Sequence, residues 1–255
     1  MKTLRCLGLT ALTLIVLLTG CGKKGPVRPL ELPLPAAPTN VSLQQRGESL
    51  RLSWEAPTAN QNGTPLTDLQ GFRLFRLPFV PGQECPECRD LSVLLTEIDL
   101  DYPQGIMREG NRLTYVDDFV QAETGYRYRI VPFTEAGREG APTTLSGIVY
   151  PVPPAPGGLT AEGLDRLVRL QWEAPVLDSS QGQVVGYRLY RHADPAQVAA
   201  SPLNRQPLTE PRFEDFGRDN GTPLTYAVSL IVRQQATEVE SALSEKVTVT
   251  PESGF

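Results

Sequence analysis

Few side chains in this sequence are both chemically competent and grouped. Two cysteines stand three apart in Cys85-Pro86-Glu87-Cys88, Cys21 follows Leu18-Thr19-Gly20, and Cys6 lies in an apolar run. The close pair admits a local disulfide closing a loop tip, exchanging thiols, or a share in a metal site. A disulfide Cys85–Cys88 is the preferred reading. A redox motif wants its cysteines at a helix start in a βαβ setting, zinc wants about four ligands where only Glu84, Glu87 and Asp90 lie near, and covalent haem needs His where Arg89 stands. The single histidine, His192, ends a strand-like segment with no Ser or Cys partner for nucleophilic catalysis. Paired acids at Asp117-Asp118 and Glu214-Asp215 read as turn and strand-end residues, and no glycine loop has phosphate-cradling spacing. No catalytic residue, metal site or cofactor is therefore expected.

Cys21 carries a different chemistry. Before it come a basic start (Lys2, Arg5), an apolar run from Cys6 to Leu18 and the small pair Thr19-Gly20. The run is about 13 residues, short of the ~20 that span a bilayer as a helix, so residues 1–20 read as a cleaved export signal. Leu18-Thr19-Gly20-Cys21 resembles the lipobox of bacterial lipoprotein precursors. That resemblance implies cleavage before Cys21 and lipidation of its thiol, because a thiolate takes the diacylglyceryl group as a thioether. Several acyl chains make such anchoring stable. By the same likeness, Gly22 rather than Asp at the second mature position implies sorting to the outer membrane, at its periplasmic face.

The elements that follow must position whatever the anchor carries. The precursor's net charge is −5, and losing Lys2 and Arg5 leaves −7. So acidic a body argues against nucleic acid as a partner. Residues 21–35 are rich in proline, which favours extended chain of about 3 Å per residue, a semi-rigid stalk. Cys21, Gly22, Lys24, Gly25 and Pro26 resemble the start of the short lipoproteins that assist maturation of the outer-membrane lipopolysaccharide translocon, although Val27 stands where those have Leu.

The body is an internal repeat. Trp54-Glu55-Ala56-Pro57 returns as Trp172-Glu173-Ala174-Pro175, and Gly71-Phe72-Arg73-Leu74-Phe75-Arg76 as Gly186-Tyr187-Arg188-Leu189-Tyr190-Arg191. Further on, Tyr115-Val116-Asp117 matches Phe213-Glu214-Asp215, and Tyr128 matches Tyr226. The first copy carries extra residues between Arg76 and Tyr115. Each copy alternates apolar and polar residues over short runs between Pro and Gly clusters, as half-buried strands of an all-β sandwich do. Trp-x-x-Pro, then Gly-aromatic-x-Leu-aromatic-Arg, then Tyr-x-Tyr-x-Ile resembles fibronectin type III domains. The resemblance implies two tandem immunoglobulin-like sandwiches, at 36–151 and 152–255. It places Trp54 and Trp172 in the cores and makes Tyr126 the tyrosine-corner residue, where the second copy has Leu224 instead. The proline-rich join Pro151–Pro156 predicts a stiff, elongated rod.

The expected function is a non-catalytic, lipid-anchored protein-binding or scaffolding module. Its partners are the membrane, through the lipid, and another envelope protein; no small-molecule substrate is indicated. An assembly factor for the lipopolysaccharide translocon and a thiol-redox accessory using Cys85 and Cys88 are the alternatives.

Overall fold

The computed structural model describes residues 32–84, 91–178, 181–192 and 201–253. The chain divides into Met1–Pro33 and Leu34–Phe255, and the fold here is that of the second unit. Among the described residues every regular element is a strand, as the period-two patterning requires.

The first sandwich is built from β1 (Thr39–Arg46), β2 (Ser49–Glu55), β3 (Leu69–Phe79), β4 (Val93–Asp99), β5 (Ile106–Glu109), β6 (Arg112–Asp117), β7 (Gly125–Thr134) and β8 (Thr143–Ile148). The second comprises β9 (Gly157–Leu164), β10 (Leu167–Glu173), β11 (Gln183–His192), β12 (Arg212–Phe216), β13 (Leu224–Gln234), β14 (Thr237–Glu240) and β15 (Val247–Val249). In the first, β1-β2-β6-β5 faces β4-β3-β7-β8; in the second, β9-β10-β12 faces β11-β13 with β14 and β15. This is the two-sheet architecture of tandem fibronectin type III-like sandwiches. The extra residues of the first copy supply β5, which extends the sheet beyond β6 and has no counterpart among the described residues of the second.

Each core closes around one tryptophan. Trp54 meets Phe72 edge to face, with centroids 5.4 Å apart and planes at 70°, and Trp172 meets Tyr187 with the same two values. Such a pair adds about 0.5–1.5 kcal/mol beyond the area it buries. Leu50, Leu52, Leu74 and Ile130 complete the first core, and Val168, Leu170, Leu189 and Val228 the second.

Gly71 and Gly186 occupy the same place in the two sandwiches. Each sits where the register of its strand slips by a bulge, between Leu69 and Gly71 on β3 and between Val184 and Gly186 on β11. A Cβ at Gly71 would run into the carbonyl oxygen of Ile98 on the next strand, and one at Gly186 into that of Leu208. Both obstacles are backbone and cannot swing aside. Gly71→Ala is accordingly expected to cost about 1–3 kcal/mol, the usual penalty of overpacking. An unfolding midpoint equal to the parent's would refute this.

The two sandwiches share a sheet. At their C-terminal ends β1 and β14 pair in parallel, Gln45 opposite Val239 and Arg46 opposite Glu240, so the strand order runs β11-β13-β14-β1-β2-β6-β5. The Gly47 N–H adds a bond to the Glu240 carbonyl at 2.9 Å. Gln45 then holds the join: its Nε2 donates to the Tyr150 carbonyl at 2.7 Å, and its Oε1 accepts from the Tyr150 N–H at 2.8 Å. The angle between the sandwiches is thus set by a side-by-side ladder and a buried glutamine. That replaces the expectation that proline alone stiffens the join into a rod.

Candidate functional site

Two of the residue groups singled out by sequence, Cys21 and the pair Cys85 and Cys88, lie outside the described residues, as does the stalk up to Glu31. Trp54, Tyr126 and Trp172 sit in the cores. Trp54 is fully buried and Trp172 nearly so. Tyr126 is buried, and its hydroxyl accepts a bond from the Gln121 N–H, five residues upstream, at 3.0 Å. Leu224, at the equivalent place in the second sandwich, is half-buried and has no hydroxyl to offer. His192 ends β11, half-buried opposite Thr225. Among the described residues no group of three or more His, Cys, Asp or Glu is placed to hold a metal ion, and no helix is long and apolar enough to cross a membrane.

What individual residues did not reveal is a buried polar triad present once in each sandwich. Asp117, at the end of β6, is fully buried. It accepts from the Tyr128 hydroxyl at 2.8 Å, from Nη1 of Arg76 at 2.8 and 2.9 Å, and from the Phe119 N–H at 3.1 Å. In the second sandwich Asp215 accepts from the Tyr226 hydroxyl at 2.7 Å and from Arg191, with Arg218 3.5 Å away. By sequence these acids read as turn and strand-end residues. Their signal lay in the repeat, since Arg76, Asp117 and Tyr128 recur in step as Arg191, Asp215 and Tyr226. A carboxylate taken out of water needs such a set of donors. The triads act as structural hubs, with the tyrosine hydroxyl and an arginine Nη1 in each turned onto the buried carboxylate.

A third buried acid marks the junction. Glu240 on β14 accepts from the Tyr190 hydroxyl at 2.6 Å and from the Ser229 hydroxyl at 2.7 Å, with Arg188 at 3.6 Å. Arg46 of the first sandwich lays its guanidinium over the Tyr190 ring, 5.0 Å from the centroid.

Burial raises the pKa of Tyr128, Tyr190 and Tyr226, with the carboxylates of Asp117, Glu240 and Asp215 adding to the rise. A raised folded value means that the stability is fully present below the unfolded value near 10 and is lost as pH climbs above it. The fold is therefore expected to weaken by about 1.4 kcal/mol per pH unit above pH 10 for each such tyrosine. Urea unfolding at pH 9, 10 and 11 reads this directly, and a stability unchanged through pH 11 would refute it.

The feature that faces outward is β4. It is an edge strand, paired only with β3 among the described residues, and it lacks Lys and Pro. Val93 and Leu94 are 59% and 53% exposed, and Leu91 just before them is exposed as well. Natural sheets blunt such edges with charge, proline or a covering segment. Glu97 and Asp99 charge the second half of β4, but its start at Val93-Leu94 is apolar and exposed, and backbone donors and acceptors there have the geometry that takes an added strand.

No family model matches the chain, and no curated protein matches it. Among solved structures, it is similar to the FN1–FN3 domains of chicken CNTN1 at 17% identity, over 86% of this chain and 69% of that one, with a TM-score of 0.32. A fibronectin type III-like protein of Clostridium thermocellum is 19% identical over 41% of this chain and 97% of its own, with a TM-score of 0.31. A myokine structure is 21% identical over 39% and 99%, also at 0.31. The fold rests on the strand order and the two cores described above.

Proposed function

We propose that this chain is a lipid-anchored, non-catalytic protein-binding arm of the bacterial envelope, held to the outer membrane through Cys21. The observation that carries the reading is the exposed, apolar start of the edge strand β4, at Val93-Leu94, on a body whose two sandwiches share one sheet. Fibronectin type III-like sandwiches serve many roles, so function has to be argued from such a surface rather than from the fold. A joined body suits the role, because ordering two swinging domains would cost binding free energy. Among the described residues the buried acids are committed to structural triads and to the junction, which supports a non-catalytic arm. The translocon-assembly alternative rests on residues 21–26 and the thiol-redox alternative on Cys85 and Cys88, all outside the described residues.

The test is in-cell crosslinking with a photoreactive residue in place of Val93. An envelope protein captured from Val93 but not from the still more exposed Val176 of the second sandwich, and lost when Leu94→Lys charges the edge, supports the proposal. Capture that ignores Leu94→Lys contradicts it. Cys21→Ser in the same cells should abolish labelling by fatty acid and release the protein from the membrane fraction.

A further inference from the structure

The two sandwiches differ at one sheet edge. In the first, β6 has β2 on one side and β5 on the other; in the second, the equivalent β12 pairs with β10 and, among the described residues, with no strand beyond it. The Trp172 N–H donates to the Pro211 carbonyl at 3.1 Å, so the backbone of Pro211, and in alternation that of Phe213 and Asp215, faces β10. Arg212, Glu214 and Phe216 therefore turn their N–H and C=O groups outward. The N–H that Pro211 lacks is missing from the inner side alone. In the first sandwich the same edge holds the four residues of β5 in antiparallel pairing, so an edge of this shape accepts a short strand.

The side chains of β12 select what that strand is. Arg212, Glu214 and Phe216 stand exposed on the outer face, while Asp215 is turned inward. Charges commonly guard an open edge against chance pairing, but a base and an acid two residues apart fit a second copy of the same strand. Run antiparallel about a twofold axis through Phe213, β12 sets Arg212 opposite Glu214 of the second copy, twice by symmetry. Opposite charges directly across a strand pair stabilise it. The register centred on Glu214 would face two carboxylates and the one centred on Arg212 two guanidinium groups, so like charge rejects both. The ion pairs within the chain do not compete strongly: Arg212 holds Glu210 and Glu214 holds Arg169, all four side chains 43% exposed or more, where such pairs contribute little.

The same register seats a ring. Phe216 is 64% exposed. Two residues beyond the ion pair it falls opposite Glu210 of the second copy, at a cleft of about 680 Å³ whose walls include Leu208, Glu210, Arg212 and Phe213. Twofold symmetry repeats this contact and closes the assembly at two copies. We propose that β12 is a self-complementary edge through which two copies of this chain pair, joining their three-stranded sheets β9-β10-β12 into one. The edge strand β4 belongs to the first sandwich and takes no part.

The test is sedimentation equilibrium of the full-length chain in density-matched detergent, which reads the dissociation constant of the dimer. Arg212→Glu and Glu214→Arg each set like charges across the twofold axis, and either alone should weaken the dimer at least about tenfold. The double variant Arg212→Glu/Glu214→Arg exchanges the two charges and should dimerise as the parent does. Mixing the two single variants should also restore pairing, as a heterodimer with acids on one strand and arginines on the other. Thermal melts at low protein concentration verify that each variant is folded. A parent that stays monomeric leaves the edge to a strand of some other protein and overturns the proposal. A dimer indifferent to both single variants, or one that they abolish and neither rescue recovers, overturns it as well.

Discussion

Asp117→Ala is expected to destabilise the first sandwich by about 3–5 kcal/mol, the cost of breaking a buried ion pair by removing one partner. The Asp117 side chain is fully shielded, and its loss leaves the buried Tyr128 hydroxyl without its acceptor and the Arg76 guanidinium without its counter-charge, hydrogen-bonded only to the Phe119 carbonyl. Such orphaned donors bear their full desolvation cost. Asp215→Ala should cost less, because the Asp215 side chain is 10% exposed against 0% for Asp117, so water reaches the vacated site more readily, the arginines beside them being alike at 23% and 20%. Urea unfolding of the two variants measures the order directly. A smaller loss for Asp117→Ala than for Asp215→Ala would contradict the burial argument.

The second large effect is expected at the junction. Glu240→Ala removes the acceptor shared by the hydroxyls of Tyr190 and Ser229 and the counter-charge of Arg188. Two buried hydroxyls and a half-buried guanidinium then lose their partner together, at a cost of about 2–4 kcal/mol. The loss should not stay in the second sandwich. Glu240 also lies opposite Arg46 in the ladder and gives its carbonyl to Gly47, so loosening β14 weakens the hold on β1. Glu240→Gln, which keeps the shape and an acceptor oxygen, should retain part of the stability.

The repeat made much of the fold legible. Trp54 and Trp172, Phe72 and Tyr187, and the glycines at 71 and 186 recur in step, and the structure gives each pair the same job. The Asn-Gly turns were legible too, since Gly63 and Gly221 both adopt the positive φ that the pair favours. The triads were written in the same repeat but passed over, because Asp117 taken alone has the composition of a turn and only its pairing with Arg76 and Tyr128 marks it as buried. The β1–β14 ladder left no trace of its own. Parallel pairing there is made by backbone groups that every residue carries, and Glu240 in Thr237-Glu238-Val239-Glu240 reads like any solvated strand end.

The claim on which the account turns is that the two sandwiches form one joined arm, and the tryptophans allow it to be tested without a label. Trp172→Phe leaves Trp54 as the sole indole, buried in the first core, so its fluorescence follows that sandwich alone. The decisive measurement is urea unfolding of Trp172→Phe with and without Glu240→Ala, a substitution confined to the second sandwich. The account predicts that Glu240→Ala lowers the midpoint reported by Trp54. A Trp54 midpoint unmoved by Glu240→Ala would mean that the sandwiches unfold independently and that the shared ladder does not hold them as one body.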